Sequence, residues 1–404
     1  MTSNLKILDC TFRDGGYYNN WDFDKNIVRK YINSMSTSGV DYVEIGFRNF
    51  SQNNFMGPFA YSTDSFIEGL PNISKINVGV MSDASIFLTD NKKVSDLVRE
   101  LYRNKADSII SLVRIATHFK DVERSQEITK TLKELGYIVA LNLMQTGGRK
   151  SSEIEDIVKS IAKDDTVDTL YFADSLGNMN NEEIINVIDS IKTFWKKDIG
   201  IHTHNNQGQA LSNSMTALEN GVTWLDSTVR GMGRGAGNST TEDLMRLINK
   251  KMNDTNYSPQ ELYEICLNDF DILQKKYNWG QNLYYALAAD FDIHPTYVQE
   301  MLSDNRYSRL DILDIINNLK DVPTKSYNKE ILETIKYKDA KDCHGEWNAN
   351  GWCSNRDVLI IGNGPSSLTY YDDIIKYINQ YKPLVLSLNI QKKYPEDIVD
   401  GFVC

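Results

Sequence analysis

The feature that most constrains this chain is a regular alternation of short apolar runs with longer amphipathic segments. In the longer segments, apolar residues recur every three or four positions, which is the helical period. The apolar runs are strand candidates: LKILDC, VDYVEIG, INVGVM, SIISLVRI, YIVALNLM, DTLYFAD, IGIHTH and WLDSTV. Strands that alternate with helices form right-handed β-α-β units and a parallel sheet. Eight such units predict an α/β fold, a closed (β/α)8 TIM barrel. The alternative is a doubly wound open sheet, which would usually show an early glycine-rich phosphate loop, and none precedes Gly231.

The pattern of the chain changes after the eighth strand candidate. Residues 256–340 contain helical segments with no strand between them, which predicts a helical appendage packed on the barrel. Residues 341–404 begin with a polar linker and continue with DVLIIGNGPSSL and PLVLSLNI, the start of a Rossmann-like β-α-β segment. We therefore predict a barrel over residues 1–255, the appendage over 256–340, and a linker with a partial Rossmann-like segment over 341–404. The GNGPSS turn lacks the third glycine of a dinucleotide fingerprint, so a phosphate site and a tight turn both remain open.

Composition narrows the class of partner. The formal net charge of −11 argues against nucleic acid and anionic membrane. No apolar stretch approaches the ~18–20 residues of a spanning helix. The five cysteines are scattered and odd in number, which is typical of reduced thiols in the cytoplasm. We expect a cytoplasmic protein that acts on a small molecule.

The strongest local signal is IHTHNN, at the end of the seventh strand candidate. Residues two apart in a strand point to the same face, so His202 and His204 project together. At the carboxyl end of a barrel strand, that face is the mouth where such barrels place active sites. Two adjacent imidazoles are a suitable pair of ligands for a divalent metal. Two polar histidines at a strand end, without a metal, are the simpler interpretation.

Two further motifs complete a candidate metal site. DCTFRDGG follows the first strand, and its Asp14 can add a carboxylate to the two histidines. An arginine–aspartate pair that caps a turn is the alternative. RGMGRGAGNS follows the eighth strand as a glycine-rich loop, which predicts a mobile cover for the barrel mouth or a phosphate loop. Asn238, at its end, can offer an amide oxygen to the metal.

These motifs, with VEIGFR, VRIATHF and ADSLGN, resemble the DRE-TIM metallolyase superfamily. That superfamily includes 4-hydroxy-2-oxovalerate aldolases, hydroxymethylglutaryl-CoA lyase and isopropylmalate synthases. The resemblance covers roughly residues 5–250, with the motifs in the same order. VRIATHF, ADSLGN and a glycine loop without a CoA-lyase-type cysteine are closest to the aldolase branch, although GMGRGAGN is also similar to the synthase loop.

The resemblance implies a role for each site residue. Asp14, His202 and His204 match the metal ligands, and Asn238 matches a ligand of some branches. Arg13 matches the arginine that stabilises enolate charge, and Glu44 matches an acidic residue that orients it. Weaker candidates for substrate contact are His118, Asp174 and Ser175. With oxygen and imidazole ligands, Mn²⁺ or Mg²⁺ is the expected ion.

The implied function is cleavage of a 4-hydroxy-2-oxo acid to pyruvate and an aldehyde, or the reverse reaction. The expected partners are a small 2-oxo acid substrate and either a second copy of the chain or an enzyme that processes the aldehyde. The alternatives are a Claisen-type synthase that joins an acyl-CoA to a 2-oxo acid, a non-haem iron oxygenase, and a metal-binding scaffold without catalysis.

One departure from the aldolase pattern concerns the general base. In that branch, a histidine follows the Arg-Asp-Gly motif, whereas this chain has Tyr17. A tyrosine with a pKa near 10 is a poor base at neutral pH unless a nearby cation lowers that value. Either Tyr17 acts in the field of the metal, or another group takes the proton, or the substrate differs. Tyr284, Tyr285 and His294 in the appendage are other candidates.

Overall fold

The computed structural model describes residues 4–89, 92–253, 256–304, 306–336, 348, 350–362, 364–388 and 394–403. The chain divides into two compact units, residues 1–338 and residues 339–404. Within the described ranges, we find no helix with the length and hydropathy that a membrane crossing requires.

The first unit contains a closed barrel of eight parallel strands in sequence order, in which the first strand pairs with the eighth. The strands are β1 Lys6–Asp9, β2 Tyr42–Phe47, β3 Val78–Asp83, β4 Ile110–Thr117, β5 Ile138–Leu143, β6 Thr169–Asp174, β7 Asp198–Thr203 and β8 Trp224–Ser227. The predicted (β/α)8 barrel is therefore confirmed, and the open sheet is excluded. All eight strand candidates form strands.

The register of the barrel explains why the motifs meet. β1 and β8 are paired from Lys6 opposite Trp224 to Asp9 opposite Ser227, so both strands end at the same level. β7 also pairs with β8, which places β1 and β7 on the two sides of one strand. The motifs that follow these strands consequently lie together at the carboxyl end of the barrel.

Helices cover the outside of the barrel, because their apolar faces pack on the buried strands. The short helix α1 Thr11–Asp14, whose four residues are all buried, instead follows β1 at the carboxyl end of the barrel. The outer helices are α2 Lys25–Ser38, α3 Asp64–Glu68, α4 Val94–Leu101, α5 Val122–Glu134, α6 Ser151–Lys163, α7 Asn181–Phe194, α8 Ala210–Glu219 and α9 Thr241–Met252. Short 3-10 turns lie between them at Gly15–Tyr18, Pro58–Ala60, Ile73–Lys75, Ala84–Ile86, Lys105–Asp107, Phe119–Asp121 and Val229–Gly231.

The segment predicted as an appendage is helical and belongs to the same compact unit as the barrel. Its helices are α10 Gln260–Ile265, α11 Asp271–Tyr277, α12 Leu283–Asp290, α13 Pro295–Ser303, α14 Arg309–Leu319 and α15 Lys329–Lys336, with a π-helical turn at Cys266–Phe270. α12 to α15 share a core of their own, which includes Tyr285, Tyr297 and Ile316. Ala236 of the glycine-rich loop is part of that core, so these helices pack on the loop at the barrel mouth.

The second unit is a small parallel sheet in the order β11-β10-β9. Its strands are β9 Val358–Ile361, β10 Leu384–Leu388 and β11 Gly401–Val403, and its helices are α16 Ser366–Thr369 and α17 Tyr371–Tyr381, followed by a 3-10 turn at Glu396–Ile398. The three-part division of the chain stays a prediction. The first part of the predicted linker, residues 341–347, lies outside the described residues.

A helix cap offers a direct test of the local structure. The side chain of Asp24 accepts hydrogen bonds from the backbone N–H groups of Asn26 and Ile27 at the start of α2. We expect Asp24→Ala to lower the free energy of unfolding by about 0.5–2 kcal/mol, because it removes this cap. Urea denaturation measures the change. Asp24→Ser keeps a capping oxygen and should lose much less; an equal loss in both variants would contradict the assignment.

Candidate metal centre

The three predicted metal ligands converge. Asp14 ends α1 directly after β1, His202 lies in β7 and His204 follows that strand, and all three side chains are buried. Each offers one ligand atom, and these atoms lie within 4.8 Å of one another. The two imidazole rings are 4.9 Å apart between centroids and nearly perpendicular, at 87°. This geometry brings together a carboxylate and two imidazoles from both sides of β8.

The hydrogen bonds of the two histidines fit a metal. His202 donates from Nδ1 to Oδ2 of Asp226 at 2.8 Å, which leaves Nε2 with a free lone pair. Nε2 of His202 and Nδ1 of His204 are buried and have no hydrogen-bond partner among the described residues. A buried polar atom left without a partner costs stability, so two such atoms beside a carboxylate indicate a missing ligand. The donor set fits a divalent cation.

A second set of possible ligands, Cys10 with His202 and Asp226, is equally compact. Asp226 is already engaged by His202 and by Arg114. Burial raises the pKa of the Cys10 thiol well above its usual value, so the thiol stays protonated, and its Sγ faces the carbonyl oxygen of Ser227 at 3.5 Å. We therefore assign the metal site to the set that contains Asp14.

Asn238 supports the same centre. Its Nδ2 donates to Oδ2 of Asp14 at 2.6 Å. Its Oδ1 is buried without a hydrogen-bond partner in the described part of the chain. Its backbone forms an antiparallel bridge to His204, which fixes the end of the glycine-rich loop against the ligands. Asn238 therefore presents an unused amide oxygen beside the three predicted ligands.

Arg13 joins the metal site to a second carboxylate. Its Nε donates to Oε1 of Glu44 at 2.6 Å and its Nη1 donates to Oδ1 of Asp14 at 2.5 Å. Burial raises the pKa of Asp14, but the interactions with Arg13, the two histidines and Arg234 together outweigh burial and hold that pKa well below its usual range. Nη2 of Arg13 is buried and unpartnered among the described residues. The guanidinium thus has one nitrogen, Nη2, whose N–H groups remain for a bound molecule.

The sequence interpretation missed two residues that connect these groups, Arg114 of β4 and Asp226 of β8. Arg114 donates from Nε to Oε2 of Glu44 at 2.6 Å and from Nη1 to Oδ2 of Asp226 at 2.7 Å. Its guanidinium lies 4.5 Å from the ring centroid of Tyr171. The sequence does contain a signal for both residues, because each is a charged residue inside an otherwise apolar strand: Arg114 in SLVRIAT and Asp226 in WLDS. The network of Arg114, Asp226, Glu44, Arg13 and Asp14 contains three carboxylates and two guanidinium groups, and a buried cation would compensate the excess negative charge.

A cavity of about 310 Å³ opens on this centre. Its lining combines six of the predicted residues with polar and apolar groups at or near the strand ends: Arg13, Asp14, Tyr17, Trp21, Phe47, Asn49, Gln52, Met56, Ala60, Met81, Asp83, Ala116, Asn142, Met144, Ala173, Ser175, His202, His204 and Arg234. A mostly apolar cleft with a few convergent charges is typical of a small-molecule site.

Tyr17 lies in this cavity, at the position where the aldolase pattern has a histidine. Burial raises the pKa of its hydroxyl, although the guanidinium of Arg234, 5.4 Å from the ring centroid, acts in the opposite direction. A phenol with a raised pKa stays protonated at neutral pH and donates a hydrogen bond. The protein environment alone does not make Tyr17 a base.

The three weaker candidates for substrate contact lie at different places in the structure. Ser175 lines the cavity, and its Oγ accepts a hydrogen bond from the backbone N–H of Gln145 at 2.9 Å. Asp174 lines a neighbouring cleft; its carboxylate accepts backbone N–H groups of the following turn, and burial raises its pKa to about 7. His118 starts the 3-10 turn after β4 and is absent from the lining of both cavities.

The other candidate bases, which come from the appendage, lie outside the cavity. Tyr285 is buried in the core of α12 to α15, and Tyr284 packs against that core while its hydroxyl donates to the carbonyl oxygen of Arg309. His294 caps α13, and burial together with the charge of Arg234 lowers its pKa to about 3. These three residues do not line the cavity.

Comparison with known proteins identifies the family. The sequence profile of the family described as HMGL-like matches residues 91–267. The structure aligns with the N-terminal domain of a candidate aldolase from Bacteroides vulgatus at 32% identity and a TM-score of 0.67, over 77% of this chain and 99% of that chain. The chain belongs to the HMGL-like family. This membership confirms the DRE-TIM resemblance.

Curated relatives within the HMGL-like family carry one recurrent name. A 4-hydroxy-2-oxovalerate aldolase of Carboxydothermus hydrogenoformans is 24% identical over 84% of this chain and 99% of its own length. Another, of Pelotomaculum thermopropionicum, is 29% identical over 61% of this chain and 70% of its own length. An HMG-CoA lyase of Brucella melitensis shares the fold, with a TM-score of 0.55 at 15% identity, over 67% of this chain and 99% of that chain.

Arg114, the buried arginine of β4, provides a test of the network of buried ion pairs. We expect Arg114→Met to lower the free energy of unfolding by about 3–5 kcal/mol, because it leaves the carboxylates of Glu44 and Asp226 buried without their counter-charge. Urea denaturation measures the loss. Arg99→Met is the matched control, since Arg99 forms an exposed pair with Glu134 and should cost less than about 1 kcal/mol. Similar losses in both variants would contradict a structural role for Arg114.

Metal binding tests the assigned ligands. We expect His202→Ala to abolish binding of Mn²⁺, because it removes one of three ligands. Asp226→Asn should weaken binding about 10- to 100-fold, because the imidazole of His202 loses the charge that orients it. Calorimetric titration measures both affinities. His118→Ala, which changes a histidine away from both cavities, should bind Mn²⁺ as the unmodified protein does; unchanged binding by His202→Ala would refute the site.

Proposed function

We propose that this protein is a divalent-metal-dependent aldolase, a carbon–carbon lyase that interconverts a 4-hydroxy-2-oxo acid with pyruvate and an aldehyde. The observation that carries the proposal is the convergence of the three predicted metal ligands in one cavity, beside Nη2 of Arg13, which has no hydrogen-bond partner among the described residues. The name shared by the curated relatives supports the same reaction. The proposal also includes a cytoplasmic location. The proposed partner is either a second copy of the chain or an aldehyde-processing enzyme.

Asp14, His202 and His204 would hold the ion, with Asn238 as a further ligand. Mn²⁺ or Mg²⁺ suits a set of carboxylate, amide and imidazole donors. Such an ion supplies Lewis-acid polarisation of the 2-oxo acid oxygens when bound. Asp226 would keep the imidazole of His202 in the tautomer that presents Nε2, because its carboxylate accepts a hydrogen bond from Nδ1.

Arg13 is the group proposed to stabilise the developing charge. In cleavage, the C3–C4 bond breaks, its electron pair remains on the pyruvate half as an enolate, and the 4-hydroxyl loses its proton as C4 becomes the aldehyde carbon. Proton return to C3 completes pyruvate. A guanidinium held by Glu44 and Asp14 needs no reorganisation to donate from Nη2 to the enolate oxygen. Glu44 positions Arg13, and Arg114 in turn holds Glu44.

Tyr17 is proposed to bind a substrate oxygen as a hydrogen-bond donor. Burial raises its pKa, which suits donation better than proton abstraction. Ser175 is the remaining predicted residue on the cavity wall and is proposed to contact the substrate. We propose that Asp174 stabilises the turn that carries Ser175, because its carboxylate accepts hydrogen bonds from backbone N–H groups of that turn.

The activity test is the release of pyruvate. We expect chelator-treated protein to be inactive and to regain pyruvate release from a panel of 4-hydroxy-2-oxo acids when Mn²⁺ or Mg²⁺ is added. Arg13→Gln should lower kcat about 100- to 1000-fold, because one fixed donor to the enolate oxygen is lost. A coupled assay for pyruvate measures both effects, with His118→Ala as the control for substitution near the barrel mouth.

Two results would contradict this function. Absence of pyruvate from the whole panel with either ion excludes the aldolase. Metal-dependent isotope exchange at the methyl group of acetyl-CoA would instead indicate the Claisen-type synthase. Bound metal without either reaction would indicate a non-catalytic scaffold.

A further inference from the structure

We propose that Arg234 binds an anionic group on the aldehyde half of the substrate, so that the preferred aldehydes carry a carboxylate or a phosphate away from the reacting carbon. This inference rests on the proposed function, since it names the class of substrate for the same cavity. Arg234 comes from the glycine-rich loop and lines the cavity together with the metal ligands.

The first observation is that Arg234 forms no direct ion pair with any described residue, although its charge acts on Asp14 at longer range. Four other arginines each have a guanidinium nitrogen 2.5–2.8 Å from a carboxylate oxygen: Arg13, Arg48, Arg114 and Arg230. Within the described ranges, no ion pair or side-chain hydrogen bond is formed by Arg234, and its Nε is buried. A partly buried guanidinium without a partner is costly, and a bound anion would offset that cost.

The second observation is that the structure holds Arg234 in place. Its guanidinium lies over the ring of Tyr17, at 5.4 Å from the centroid. The next residue, Gly235, accepts a hydrogen bond from the hydroxyl of Tyr18 at 2.6 Å and donates its N–H to Oε1 of Gln299 at 3.2 Å. Gly235 has a φ of +66°, which favours glycine at this turn. A cation held before the ligand arrives binds it at a lower entropic cost.

The third observation concerns the division of charge in the cavity. The metal and Arg13 are proposed to bind the carboxylate and ketone of the 2-oxo acid half of the substrate. Arg234 is a further cation in the cavity that this half does not need. Asp83 is also on the cavity wall, and one of its oxygens accepts the N–H of Ser85. Arg234 and Asp83 act on Tyr17 with opposite sign. An anion on the aldehyde half is therefore drawn to the Arg234 side of the cavity.

The test uses the condensation of pyruvate with matched aldehydes by the Mn²⁺-loaded protein. Glyceraldehyde 3-phosphate is compared with glyceraldehyde, and succinate semialdehyde with butanal, by pyruvate consumption. We expect kcat/KM to be higher for the anionic member of at least one pair, which also identifies phosphate or carboxylate. In Arg234→Gln, the anionic-to-neutral ratio should fall about 10- to 100-fold, as loss of a charge-assisted hydrogen bond predicts. Arg234→Lys should retain part of the preference.

Arg149 provides the matched control. It also stacks on an aromatic ring, 3.9 Å from the centroid of Phe119, but it lines the neighbouring cleft. Arg149→Gln removes the same charge and should leave the ratio unchanged. An equal ratio in the unmodified protein and in Arg234→Gln, with pyruvate consumed by both, would overturn the inference while the aldolase function stands. A preference for the neutral aldehydes would do the same.

A binding measurement separates failure of the inference from failure of the function. If the unmodified protein consumes no pyruvate with any aldehyde, the proposed function fails. Calorimetric titration of the Mn²⁺-loaded protein with inorganic phosphate and with succinate then tests the anion site alone. Binding about tenfold weaker in Arg234→Gln than in Arg149→Gln supports Arg234 as the anion site. Equal binding by the two variants overturns it.

Discussion

The guanidinium of Arg114 is the interaction on which the rest of the site depends. It lies between the carboxylates of Glu44 and Asp226, which come from β2 and β8, the two strands that flank β1. Glu44 orients Arg13, and Asp226 orients His202. Arg13, which is proposed to stabilise charge, and His202, a predicted metal ligand, are therefore both positioned through one buried cation. Replacement of Arg114 would disturb both sides of the site at once.

A closed barrel makes this arrangement possible at an acceptable free-energy cost. Isolated buried charges are strongly unfavourable, whereas alternating guanidinium and carboxylate groups satisfy one another. The chain of contacts runs from Asp226 through Arg114, Glu44 and Arg13 to Asp14, and the ring of Tyr171 covers Arg114. The single excess negative charge falls where the divalent ion is proposed, so the electrostatics of the barrel interior and the metal site form one system.

The candidate residues differ in how well the sequence could identify them. His202, His204 and Asp14 were accessible because short motifs at strand ends converge at a barrel mouth. Arg114 and Asp226 were not assigned, because each motif contains only half of a contact between distant strands. The resemblance drew attention to His118 and Asp174, but neither lines the main cavity, whereas Ser175 does. The roles of all these residues stay predictions until the proposed variants are measured.

The sequence by itself determined the barrel, the order of its strands and the three residues predicted to converge as metal ligands, because periodicity and strand-end motifs are local properties. Only the tertiary structure decided which charges pair across the barrel, which residues reach the cavity, and that Arg234 lacks a carboxylate partner among the described residues. Those outcomes depend on strand register and on contacts between residues far apart in the chain. Asp14 and Asn238, for example, are 224 positions apart and meet at 2.6 Å.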